Sequence, residues 1–170
     1  YQNMVSDGAG AFQHDGDWAE PYGKREENPY VTAFWKWWES GLADSLEELR
    51  VTGGEPLMSD QVWKLFDWFN DNPSKMRFAI NSNLMAKDDI IDKLIERSHG
   101  VNDFHLYTSC EATGKQADYI RDGLDYNVWK DNLYRIMTNG NLKGVNIMMT
   151  INSLCLFSIT DFLDDVYEMK

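Results

Sequence analysis

VTGGEPL (51–57) closes an apolar run with two adjacent glycines, a carboxylate and a proline. A plain turn needs one or two permissive residues. Glu55 held between Gly54 and Pro56 asks for more. Gly53 and Gly54 carry no side chain, so a ligand can approach the backbone closely. Their carbonyls can accept hydrogen bonds, and Glu55 adds a negative charge suited to an ammonium group. Pro56 fixes φ and removes a competing N–H. The corner suits a cation. A phosphate loop would present N–H donors and usually a lysine, and no G-x-G-x-x-G follows any expected strand, which weighs against dinucleotide binding.

Outward from this corner the pattern is regular. A helix is expected over 31–42 (VTAFWKWWESGL), ending near Gly41, with Phe34, Trp35, Trp37 and Trp38 crowding it for packing. LEELRVT (46–52) reads as a strand, with Glu47 and Glu48 at its solvent entrance. Ser59 is the expected N-cap of a helix with Val62, Leu65, Phe66 and Phe69 on one face. A strand follows at 76–81 and a helix carrying Ile90, Ile91, Leu94 and Ile95. A third strand is expected at 101–109, then a helix carrying Trp129, Leu133, Ile136 and Met137 that ends near Gly140. A fourth strand at 145–151 and a helix with Phe162, Leu163 and Val166 complete the series. This alternation predicts an α/β fold with parallel strands and crossover helices. A TIM-type barrel and a doubly wound open sheet both fit.

The polar residues fall at the strand ends: Thr52 to Glu55, Asn81-Ser82-Asn83, Thr108-Ser109, and Thr150 with Asn152. In both layouts the carboxyl ends form the ligand-binding face.

Composition narrows the function. The 170 residues suit one domain with a sizeable core, and a net charge of −12 repels a nucleic-acid backbone. No apolar run of about 18 residues exists to span a membrane. Cys110 and Cys155 read as reduced, buried cytosolic thiols. His14, His99 and His105 lack metal-ligand spacing. Asp88-Asp89 and Asp164-Asp165 are expected at helix starts or on solvated faces. Residues 1–30 are polar and read as a loop region. The chain starts at Tyr1 and stops inside an expected helix, as a fragment of a longer protein would.

Strand–GGEP–helix resembles the second strand of radical S-adenosylmethionine (radical SAM) enzymes. INSNLM (80–85) is similar to the end of that family's third strand. SCEATGKQADYIRDGLDYNVWKDNL (109–133) is similar to the stretch after the fourth, and MTINSLCLFSITDFLDDV (149–166) to that of the fifth. The nearest subgroup is that of proteins with a twitch-type C-terminal domain, and the resemblance covers about residues 31–170. One departure is Cys110-Glu111-Ala112, where many relatives have Asp-Gly.

The resemblance implies that 31–170 is part of a partial (β/α)₆ barrel, strands two to five with their helices. It implies that Gly53, Gly54 and Glu55 bind the ammonium of S-adenosylmethionine (SAM). Ser109 and Arg121 would hold its carboxylate, a guanidinium giving the bidentate fork. A surface ion pair of Arg121 with Asp118 or Asp122 is the other expectation. Asn81, Asn83 and Asn152 would face the ribose or adenine. Radical SAM chemistry also uses a 4Fe–4S cluster on C-x-x-x-C-x-x-C, a motif this sequence lacks and the family order places before Tyr1. A complete parent would cleave SAM to a 5′-deoxyadenosyl radical and abstract a substrate hydrogen, with an electron donor such as flavodoxin or ferredoxin. Its substrate would be a peptide or small molecule. This chain alone would not cleave SAM. The alternative is a non-catalytic, degenerate α/β barrel used as a scaffold or partner-binding module.

Overall fold

The computed structural model describes residues 28–169. Most of the polar stretch 1–30, His14 included, lies outside them. The chain divides into two compact units between Leu46 and Glu47.

In the first unit, Asn28 caps helix α1 (Pro29–Trp37), its side chain accepting from Tyr30 N at 3.0 Å. Pro29 sits where the helix has an N–H to spare. The helix does not stop at Gly41. It passes through a π-helical stretch, Trp38–Leu42, with Gly41 at φ 123°, into a last α turn at Ala43–Ser45. Phe34, Trp35 and Trp38 pack ring against ring at 5.4–6.3 Å, while Trp37 is exposed.

The second unit runs β1 (Glu48–Val51), α2 (Asp60–Asp71), β2 (Arg77–Asn81), α3 (Asp88–Ser98), β3 (Phe104–Ser109), α4 (Gly114–Ile120), α5 (Tyr126–Asn139), β4 (Gly144–Met148) and α6 (Ile159–Glu168). The four strands are parallel and lie in the order β1-β2-β3-β4. Within these strands there is none of the order reversal that marks the switch point of a doubly wound sheet.

The pleat sorts side chains onto two unlike faces. Leu49, Phe78, Phe104 and Leu106 fall on one, with Ile80, Thr108, Val145 and Ile147. Phe66 of α2 meets Phe78 at 5.0 Å and Phe104 at 5.3 Å, edge to face, and Phe69 stacks on Phe78 at 4.8 Å. Each buried Phe stabilises the fold by about 1.5–3 kcal/mol, with roughly 0.5–1.5 more for each well-placed ring pair. Ile91 and Leu94 of α3 and Trp129, Leu133 and Ile136 of α5 are buried with them. The other face carries Arg50, Arg77, Asn81, His105, Tyr107, Ser109, Asn146 and Met148, all exposed or half-buried. Parallel sheets usually bury apolar residues on both sides.

Ser59 holds the N-cap position of α2 as expected, without a side-chain hydrogen bond, and several other local details differ from the expectation. Residues 101–103 form a turn before β3 rather than its first residues, and β4 ends at Met148, not at residue 151. Helix α4 is additional to the expected series. Asp165 lies in the body of α6, not on a solvated face. It accepts from Lys130 Nζ at 2.8 Å and from the Tyr126 hydroxyl, tying α6 to α5.

This tie is pH-dependent. The hydrogen bonds from Lys130, then Tyr126, hold the Asp165 carboxyl below its usual range. Burial, then the bond to Asp165, pushes the Tyr126 phenol well above the usual tyrosine range. Asp165, with its lowered folded pKa, contributes stability that is present above about pH 4 and lost as pH falls through the folded value. Tyr126, with its raised pKa, contributes stability that is present below about pH 10 and lost as pH rises beyond it. Urea unfolding across pH should therefore show both losses. Tyr126→Phe should reduce the alkaline loss and cost about 1–2 kcal/mol at pH 7.

Candidate functional site

The loops at the carboxyl ends of the strands are held by backbone conformation and a few polar bonds. Gly53 and Gly54 have φ 91° and 55°, so both occupy the region that disfavours a Cβ. A Cβ built on either would meet nothing within 4 Å among the described residues. Pro56–Met58 form a single 3₁₀ turn. Glu55 caps this turn through Oε1, which accepts from Leu57 N at 3.2 Å. Its Oε2 accepts from Asn83 N at 2.8 Å, so one carboxylate joins the loop after β1 to the loop after β2.

The loop after β2 carries Leu84 at φ 57°, the one non-glycine at positive φ among the described residues, with its side chain fully buried. Such a conformation costs on the order of 1–3 kcal/mol and persists where surrounding contacts fix it. Here Asn132 of α5, itself buried, donates to Leu84 O at 2.9 Å. Ser82 Oγ accepts from Leu84 N, and Asn83 Oδ1 from Met85 N.

Between these loops lies a cavity of about 360 Å³. Its wall includes Gly54, Asn81, Asn83, Ser109 and Arg121, joined by Ser82, Met85 and the turn Asp122-Gly123-Leu124. Five of the eight candidate residues thus meet in one space. Gly53 and Glu55 border it in sequence but do not line it. Asn152 does not line it either: its Oδ1 accepts from Leu154 N at 2.8 Å and its Nδ2 donates to Thr150 O at 2.9 Å.

Some wall residues have unused hydrogen-bonding capacity. Asn81 Oδ1 is shut off from solvent with no hydrogen-bond partner among the described residues. Buried acceptors of this kind are rare without a ligand or water to satisfy them. The Ser109 hydroxyl makes no hydrogen bond to the described residues. Arg121, by contrast, is engaged. Its Nε and Nη2 donate to Glu111 Oε2 at 2.9 and 2.6 Å, and the Glu111 side chain is only 3% exposed. The partner is neither Asp118, which caps Tyr126 N at 2.9 Å, nor Asp122. Nη1 remains for a further acceptor. Glu111 is the residue that sequence reasoning missed. It lies in Cys110-Glu111-Ala112, where the sequence departs from the Asp-Gly of the family that it resembles.

No three His, Cys, Asp or Glu side chains are placed to hold a metal ion among the described residues. Both cysteines are buried and free. Cys110 Sγ donates to Ala112 O at 3.3 Å and Cys155 Sγ to Asn152 O at 3.1 Å. Burial pushes the Cys110 thiol up to about 11, so it is protonated at neutral pH. The cysteines present do not fit the three-thiolate set of a 4Fe–4S cluster. No described helix is long and apolar enough to cross a membrane. Comparison with family models, with curated proteins and with solved structures returns no match.

Asn132→Ala leaves the buried Leu84 carbonyl unpaired and should cost about 1–3 kcal/mol. Amide exchange should accelerate over residues 82–86 more than elsewhere, because the strained turn loses its restraint. Uniform acceleration along the chain would show that Asn132 does not hold this loop in particular.

Proposed function

We propose that this chain is the SAM-binding portion of a radical SAM protein, and that its sheet is an arc of a partial (β/α)₆ barrel. The observation that carries this reading is the convergence of Gly54, Asn81, Asn83, Ser109 and Arg121 on one cavity at the strands' carboxyl ends. They come from three separate stretches singled out by motif resemblance: the GGEP corner, 80–85 and 109–133. The sequential order of the parallel strands supports the barrel arc.

In this reading the Ser109 hydroxyl and the spare Nη1 of Arg121 hold the carboxylate of SAM. The backbone of Gly53 and Gly54 takes the ammonium. Glu55 contributes negative potential at the rim while its oxygens brace two loops. Asn81 Oδ1 gains the donor it lacks from the ribose or adenine, and Asn83 lies beside it. SAM, when bound to a cluster, supplies radical chemistry. The cluster does not fit the residues of this chain, and the chain's own part is to bind and orient. The complete parent would receive its electron from a donor such as flavodoxin or ferredoxin and act on a peptide or small molecule.

One observation favours a non-catalytic binding module instead. Glu111 already neutralises Arg121, which weakens the pull on a second carboxylate.

S-adenosylhomocysteine, which shares the amino-acid and adenosyl groups, separates the two. Calorimetric titration into this chain should show saturable binding. Arg121→Ala and Asn81→Ala should each weaken it by about tenfold, the loss of one good polar contact. Absence of binding, or binding indifferent to both substitutions, would sink the SAM assignment.

A further inference from the structure

The polar face of the sheet carries two arginines that are treated differently. Arg77, at the amino end, is neutralised: it reaches Asp103 at 3.3 Å and Glu48 at 3.7 Å, and Asp103 also meets His105 at 2.9 Å. Arg50, towards the carboxyl end, pairs with no carboxylate among the described residues. Its guanidinium lies 3.6 Å from the centre of the Tyr107 ring, and Nη2 approaches Met148 Sδ at 3.5 Å. Arg97, Arg121 and Arg135 all have acidic partners, so Arg50 is the one arginine without one among the described residues. That happens in a chain with 28 acidic residues and a net charge of −12.

The placement is specific. Arg50 pairs in register with Ala79, which in turn pairs with His105, so its side chain crosses β2 over a methyl group to reach β3 and β4. The residues it touches are the cross-strand partners of two cavity residues: Tyr107 pairs with Asn81, and Met148 with Ser109. Thioether sulfur is a weak acceptor, so the other guanidinium N–H groups are uncommitted. The ring holds the guanidinium plane in place without consuming its charge. Its fork matches a carboxylate or a phosphate.

We propose that Arg50, held on Tyr107, is an oxyanion-binding residue of the sheet face beside the cavity, and that it takes the carboxylate or phosphate group of an anionic small-molecule substrate. Calling the bound molecule a substrate rests on the reading above; the oxyanion site itself does not. An acidic chain repels anions in general, so a bare cation on this face gives an anionic ligand one place to dock.

The test is a titration of this chain with succinate and, separately, with inorganic phosphate, following the Arg50 Nε–H and Tyr107 ring resonances. The expected result is saturation by at least one probe, at roughly millimolar concentration, as befits a single charge-assisted contact. The stronger arm names the group. Arg50→Gln should weaken binding by about tenfold, while Arg97→Gln, on α3, leaves it unchanged. Arg50→Lys keeps the charge without the fork and should fall between. No saturable response, or equal affinity in Arg50→Gln with its fold intact by circular dichroism, would overturn the proposal. S-adenosylhomocysteine binding is measured separately on the unsubstituted chain. Its absence beside intact succinate or phosphate binding would remove the SAM reading and leave the oxyanion site standing.

Discussion

Phe66 and Phe69 of α2 close over Phe78 and Phe104 of the sheet, and this contact decides what the opposite face can be. A parallel sheet exposes no apolar stripe safely unless something covers it. Because helices α2, α3 and α5 supply a packed core on one side, the other side is released from that duty. It carries charge, amide and phenol instead: Arg50, Asn81, Tyr107 and Asn146. The strands' carboxyl ends inherit the same asymmetry. Their residues can point hydrogen-bonding groups into a cavity because the stability of the sheet is secured behind them.

The cavity is braced by bonds that cross between strands and helices. Glu55 joins the loops after β1 and β2, Asn132 fixes the strained turn at Leu84, and Trp129 Nε1 donates to Thr108 Oγ1 at 2.9 Å beside Ser109. The first ties loop to loop, the second ties a loop to α5, and the third ties β3 to α5. Such a site is pre-formed, which spares a ligand the entropy of ordering it. Glu111 plays a double part. It anchors Arg121 at the wall and also removes most of that residue's net charge.

Much of this was legible in the sequence, and the gaps have physical causes. The apolar runs located all four strands and most of the helices, because burial on one face imposes a period. Periodicity could not say where pairing stops. Val101 is fully buried yet precedes β3, and Met149 to Ile151 continue the apolar character of β4 without a partner strand. That error carried Asn152 to a strand end it does not occupy. Helix α4 escaped notice because only Ala117 of its seven residues is buried, so GKQADYI has no stripe to read. The pairing of Arg121 with Glu111 spans ten positions across a turn, and no local spacing rule reaches that far. The glycines at 53 and 54 were read as room for a ligand. Their positive φ values add a conformational reason that holds with or without one.

The most direct test of the central claim is the structure of this chain with S-adenosylhomocysteine bound. The account predicts the ligand in the cavity walled by Gly54, Asn81, Ser109 and Arg121, with one of its donors within hydrogen-bonding distance of Asn81 Oδ1. A ligand seated elsewhere on the chain, or an Asn81 carbonyl still unpartnered beneath an empty cavity, would contradict it.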